Sequence, residues 1–246
     1  EHCKRIINQT LKSIKIMKYT DFEHIISAQR MQKYLAATNN NTRKAMTLYR
    51  LNLRLSQEMF TVVSCFEVAL RNTIDNIMVQ QFGTDWLRDS VQPGGIFDSQ
   101  HCEKTKSIIT KAYNKLTRTT GYTPTQLLSS MEFGVWKYMY SPYQYVATGQ
   151  VLLGVFPNKP SSTIGMQLNH SHFFNELDKV NKLRNRIAHH EPICFVHGIT
   201  TADSSYIITE YQKILVLFNW MGIESTSLLY GLDHIQDVCS KIDNIQ

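Results

Sequence analysis

Apolar residues recur three and four positions apart along most of this chain, a spacing that predicts helices rather than strands. The longest run goes from Thr42 to Phe82, through Ala45, Leu48, Leu51, Leu55, Met59, Val62, Phe66, Ala69, Leu70, Ile74 and Ile77. It predicts one helix of about ten turns, which Gly83 is placed to end. Before it, Ile7, Leu11, Ile14 and Met17 alternate with lysines, predicting a basic amphipathic helix over residues 1–20. Asp21 is the expected N-cap of a second helix reaching Ala37, and Asn39-Asn40-Asn41 reads as a turn.

After the long helix, Pro93-Gly94-Gly95 marks a loop, and Glu103 to Leu116 is a helix with one basic side. Pro124 opens a helix expected to run to Tyr140. A short helix is expected within residues 143–156. Another starts near Ser171 and ends near His189 or His190, because Pro192 disfavours helical geometry at Glu191. Residues 194–201 read as β-like or loop. Helices over Ser204–Met221 and Ser225–Ile242 close the chain. The predicted fold class is an all-α bundle: the N-terminal helix, then one helical domain over residues 21–246. No apolar run approaches the ~18 residues a membrane helix needs, and no signal peptide is visible.

Charge adds a second pattern to the net +6. Residues 30–54 carry Arg30, Lys33, Arg43, Lys44, Arg50 and Arg54 with no acid. Lys104, Lys106, Lys111, Lys115 and Arg118 face only Glu103 in residues 101–120, and Lys4, Arg5, Lys12, Lys15 and Lys18 only Glu1 in the first twenty. Acids collect after residue 200. Such concentration suits a polyanion-binding surface, with Arg43, Lys44, Arg50, Arg54, Lys111 and Lys115 as candidate contacts to it; solvated helix faces are the competing reading. The five cysteines are scattered and never spaced C-x-x-C, which argues against a disulfide framework or a thiolate zinc site and for the cytoplasm.

The chemistry concentrates in Arg184-Asn185-Arg186-Ile187-Ala188-His189-His190-Glu191-Pro192. A histidine has a reference pKa near ~6.5, so His189 suits proton transfer at neutral pH, with His190 a second candidate. Arg184 suits a phosphate oxygen gripped through two N–H groups, Asn185 can orient either partner, and Arg186 is a further candidate contact to a polyanion. Arg184 and His189 are five apart, about 140° around an ideal helix. They meet only if the helix distorts near its end or if two copies complete one site. A structural reading stands beside this one: Arg184 pairing with Glu67, and the histidines capping free carbonyls.

Arg184-Asn185 with His189 matches the R-N-x-x-x-H pattern of HEPN ribonucleases, and the longer run resembles the signature of Abi-like (abortive infection) proteins. Phe66 to Asn72, Phe82 to Leu87, Met131 to Trp136 and Tyr211 to Trp220 resemble further blocks of that family in the same order. The resemblance covers roughly residues 25–225, while the first twenty resemble no block of it. It implies a HEPN-type helical bundle with extra terminal helices, a role in phage defence or a toxin–antitoxin-like system, and a homodimer acting on RNA. Neither DNA nor a membrane is an expected partner. Cleavage would need no metal or other cofactor: the 2′-hydroxyl attacks the adjacent phosphorus, with Arg184, Asn185, His189 and His190 as the catalytic set. A non-catalytic RNA-binding protein, held by a small regulatory RNA, is the alternative; a helical interaction module is a weaker third. Five of the nine histidines, His170, His172, His189, His190 and His197, leave zinc as a minor reading. Tyr138, Tyr140, Tyr143 and Tyr145 would either pack in the core or stack on unpaired bases.

Overall fold

The computed structural model describes residues 17–119, 121–196 and 198–245. The expected N-terminal helix therefore lies almost wholly outside the described residues. Within them the chain forms twelve α-helices, with two isolated β-bridges as the only β pairing. These are α1 (Tyr19–Ile26), α2 (Ala28–Ala37), α3 (Thr42–Phe82), α4 (Trp86–Asp89), α5 (Glu103–Thr119), α6 (Pro124–Ser129), α7 (Phe133–Tyr138), α8 (Pro142–Ala147), α9 (His170–Ala188), α10 (Ser205–Trp220), α11 (Ser225–Leu228) and α12 (Ile235–Asp243). Single 3-10 turns cover Gln100–Cys102 and Val151–Val155. No helix among the described residues is long and apolar enough to cross a membrane.

The long helix α3 organises the rest. Its 41 residues span roughly 60 Å at about 1.5 Å per residue. Asn41 caps it by accepting a hydrogen bond from the Lys44 amide, and Gly83, at φ +87°, ends it. Leu48, Leu55, Met59, Val62, Phe66, Leu70, Ile74 and Met78 are fully buried along it. Helices α1, α2, α7, α9, α10 and α12 all pack on this core. Phe66 marks the centre: its ring meets Phe218 of α10 edge-on at 5.3 Å and Phe133 of α7 at 6.4 Å.

Three expected helices are broken in two. Ser27 sits at φ +87° and splits residues 19–37; its hydroxyl accepts from the Arg30 amide and starts α2, which leaves Asp21 in the first turn of α1 rather than at its cap. Residues 124–138 break at Ser130, whose hydroxyl bonds back to the Leu127 carbonyl. The last helix breaks around Gly231 (φ +72°), where Tyr211 hydrogen-bonds Asp233 and the Asp233 carboxylate accepts from the Ile235 amide to start α12. In each case a side chain of the segment offers the backbone a local partner that competes with the helix.

Candidate functional site

The motif lies on α9. Asn169 caps its start by accepting from the His172 amide at 3.1 Å. Phe173, Leu177, Val180, Leu183 and Ile187 form its buried face. Lys137 of α7, itself buried, fixes the middle of this helix by an ion pair to Asp178 at 2.8 Å. Helical geometry continues through Ala188, and His189 is the C-cap. His190 then turns left-handed, at φ +56°. Its amide donates to the Ile187 carbonyl at 3.0 Å, and the Glu191 amide donates to Arg186 at 2.9 Å. These two bonds are the Schellman closure, here with histidine in the position that usually holds glycine. The strain is about 1–2 kcal/mol for a residue with a Cβ.

Long-range contacts hold that strained turn. Arg30 of α2 donates to the His190 carbonyl at 2.9 Å. Arg186 donates to the Pro192 carbonyl at 2.8 Å and lies over the Tyr206 ring at 5.3 Å. Asn52, buried on α3, accepts from both the Ile193 and Cys194 amides, at 2.9 and 3.1 Å. The chain beyond the turn is thereby stitched to α3, and Lys33 of α2 covers the ring of buried Phe195 at 4.4 Å. Burial pushes the Cys194 thiol up to about 12, although Lys33 and Arg186 act the other way. It stays protonated at neutral pH and is no nucleophile.

Upstream of the turn the surroundings differ. Arg184 is half-buried; its Nε is buried without a hydrogen-bond partner, and no carboxylate among the described residues closes on it as an ion pair. It lies in the electrostatic field of Glu67, together with Arg71 and Glu132. Burial raises the pKa of Glu67 and Glu132 adds to that, against the opposite pull of Arg184 and Arg71. The expected alternative of a closed Arg184–Glu67 pair is thus only an electrostatic neighbourhood. Asn185, His189 and His190 are exposed. Because α9 is regular through Ala188, the 140° between Arg184 and His189 persists, and the distortion redirects only His190.

The predicted site residues fall into separate groups. Arg43, Arg50 and Arg54 lie on one exposed stripe of α3, about 160–180° around the helix from Asn52 and so away from the motif turn. Arg50 lies over Phe22, and Arg54 pairs with buried Glu58 at 2.6 Å. Lys44 is exposed on the first turn of the same helix, and Lys111 and Lys115 lie on α5, which packs on α4, α6 and α7. Of the predicted contacts only Arg186 stands at the motif, where it is joined by Arg30, Lys33 and Arg71. Sequence reasoning had no signal for Arg30, 160 positions from its partner. Asn52 did carry one: it occupies a core-facing position between Leu48 and Leu55, where a polar side chain needs a buried partner.

The histidines also separate. His170 contacts the Tyr140 carbonyl and stacks on Tyr145 at the start of α9, and His172 lies near Trp220, whereas His189 and His190 are at the other end. No group of three or more His, Cys, Asp or Glu among the described residues is placed to hold a metal ion. The tyrosines divide likewise: Tyr140 and Tyr145 are core, Tyr138 is half-buried and Tyr143 is exposed.

Fold and motif together define an all-α protein in which one long helix carries a helix that ends in exposed histidines. A family model described as Abi-like protein matches residues 9–194, most of the chain, and the protein belongs to that family. The match contains the whole motif and extends into the N-terminal segment, which had shown no resemblance; it stops before α10, the expected closing block. Comparison with curated proteins and with solved structures gives no match.

Proposed function

We propose that this protein is a metal-independent HEPN-type endoribonuclease of the cytoplasm, acting in abortive infection or a toxin–antitoxin-like system. Membership of the Abi-like family supports the biological setting. The observation that carries the chemistry is the C-terminal turn of α9, where His189 and strained His190 are presented to solvent while Arg30, Arg186 and Asn52 hold the backbone beneath them. In this reading a histidine takes the proton from the RNA 2′-hydroxyl, whose oxygen attacks the adjacent phosphorus. The P–O5′ bond breaks, a second histidine protonates the departing oxygen, and the products carry a 2′,3′-cyclic phosphate and a 5′-hydroxyl. Arg184 meets the charge that develops on the phosphoryl oxygens, and Asn185 orients substrate or histidine.

Since Arg184 and His189 diverge on a regular helix, the reading includes a homodimer in which two motif helices face each other and each copy completes the other's site. The half-buried position of Arg184 near Glu67 favours one alternative, an RNA-binding protein that does not cut. Incubating the purified protein with mixed RNA in EDTA separates them. Cleavage that survives EDTA and disappears in Arg184→Ala and His189→Ala supports the nuclease. Tight, salt-sensitive binding without cleavage supports the alternative. Continued cutting where the 2′-hydroxyl is replaced by hydrogen rules out internal attack.

A further inference from the structure

Helix α5 concentrates cations on one line. Lys104, Lys111, Lys115 and Arg118 are all exposed and fall within a band of roughly 60° around the helix, over about 21 Å of its length. The buried residues Thr105 and Ile109 lie on another side. No carboxylate among the described residues forms an ion pair with any of the four. Lys106, on the opposite flank, shows what a neutralised lysine looks like here: it pairs with Asp98 at 2.7 Å. The stripe is therefore a row of uncompensated positive charge.

Aromatic rings continue the stripe at its N-terminal end. The Lys104 ammonium lies over the Tyr138 ring at 4.9 Å and 3.3 Å from its hydroxyl. One turn earlier, His101 stacks on Tyr143 with centroids 4.0 Å apart and planes 6° from parallel. Tyr143 is 56% exposed, and Val146 beside it on α8 is 63% exposed. A flat ring stack open to water beside a row of cations presents the two chemistries a single strand offers: a π-face for a base and charge for phosphates. Bases paired inside a duplex would not reach such a ring.

We infer that the α5 stripe with Tyr143 and His101 is a second contact surface for single-stranded RNA, separate from the histidine turn. Tyr138 meets Phe174 at 6.0 Å, and Phe174 lies fifteen residues, about 22 Å along α9, before His189. A strand touching both surfaces extends several nucleotides beyond the histidine turn. This assignment rests on RNA being the ligand of the proposed function.

The test measures binding of an unstructured oligoribonucleotide at a series of salt concentrations. Replacing both lysines, Lys111→Gln with Lys115→Gln, is expected to lower the slope of log affinity against log salt by about 1.4, at about 0.7 per phosphate lost. Tyr143→Ala is expected to weaken binding about five-fold or more, with Tyr143→Trp restoring it. The lysine pair sits on an exposed helix face, so it carries the test even if Tyr143→Ala unfolds. Unchanged slope and affinity in a protein that binds RNA overturn the α5 assignment and leave the proposed function intact. Equal losses on a blunt duplex overturn the single-strand assignment. A wild-type protein that binds no RNA overturns both.

Discussion

The two halves of α9 are built on opposite terms. Through its middle every fixed charge is matched: Lys137 and Lys182 both reach Asp178 at 2.8 Å, and Lys179 reaches Glu176 at 2.6 Å. Burial alone would raise the pKa of Asp178, yet the two lysines hold it below its ordinary value. At the C-terminal end, Arg184 keeps a buried Nε without a partner, Glu67 is pushed the other way by burial, and His190 is held left-handed. One helix thus carries a satisfied stretch that fixes it to α7 and, beyond it, an end where Arg186 has its partners but the Arg184 Nε has none. Unmatched groups cost stability, and their concentration at one end is where a ligand would supply what the fold leaves out.

The sharpest way to break this contrast is to remove one group from each half. Arg184→Ala and His189→Ala are expected to lower RNA cleavage by about 10²–10⁴-fold with little change in melting temperature. Asp178→Ala should do the reverse. It leaves Lys137, only 7% exposed, without its counter-charge, and should cost about 3 kcal/mol of stability while cleavage at saturating RNA is kept in the folded fraction. Thermal unfolding and cleavage measured on the same samples check both. Equal losses of stability in the two sets would show that the C-terminal half is as structural as the other.

Asn52 tests the join between the halves and the rest of the fold. Asn52→Leu leaves the Ile193 and Cys194 amides buried without an acceptor, and should cost about 2–4 kcal/mol. Hydrogen exchange at those two amides should rise first. What was legible in the sequence follows the same division. The bounds of α3 and the end of α9 were readable because both depend on local signals: spacing, Asn41, Gly83 and Pro192. The breaks at Ser27, Ser130 and Gly231 were not, because hydroxyl and carboxylate side chains there outcompete a helical pattern that continues on both sides. Of the site, the motif itself was legible. Arg30, Asn52 and the Arg184–Glu67–Arg71 grouping depend on tertiary contacts that spacing does not encode.

Acid should act with opposite sign on Asp178 and on Glu67, the α3 carboxylate in the field of Arg184. The pKa of Asp178 is lowered in the folded protein, so its stabilisation is present above the ordinary carboxylate value of 3.8 and is lost as pH falls through the lower folded value. The pKa of Glu67 is raised above 4.5, so its charged form opposes folding above the raised value, and that cost is relieved as pH falls. Glu67→Gln should therefore stabilise the protein at neutral pH, with the gain shrinking in mild acid. Asp178→Asn should destabilise it at neutral pH, with the loss shrinking only in stronger acid. Unfolding midpoints from pH 7 downward, compared with wild type, check both; a neutral-pH loss in Glu67→Gln would mean that the arginines depend on its charge.

His190 yields the cleanest separation of structure from function. Its left-handed backbone costs about 1 kcal/mol that glycine would not incur, and the Schellman bonds of residues 190 and 191 use only main-chain atoms. The Arg30 bond is also to a main-chain oxygen. His190→Gly therefore keeps every hydrogen bond of the turn and should raise stability by up to about 1 kcal/mol. If the histidine served only the turn, cleavage would be untouched or improved. If the proposed function holds, the expected result is a more stable protein that cuts RNA more slowly, because the proposal gives the strained residue's imidazole a part in the cleavage.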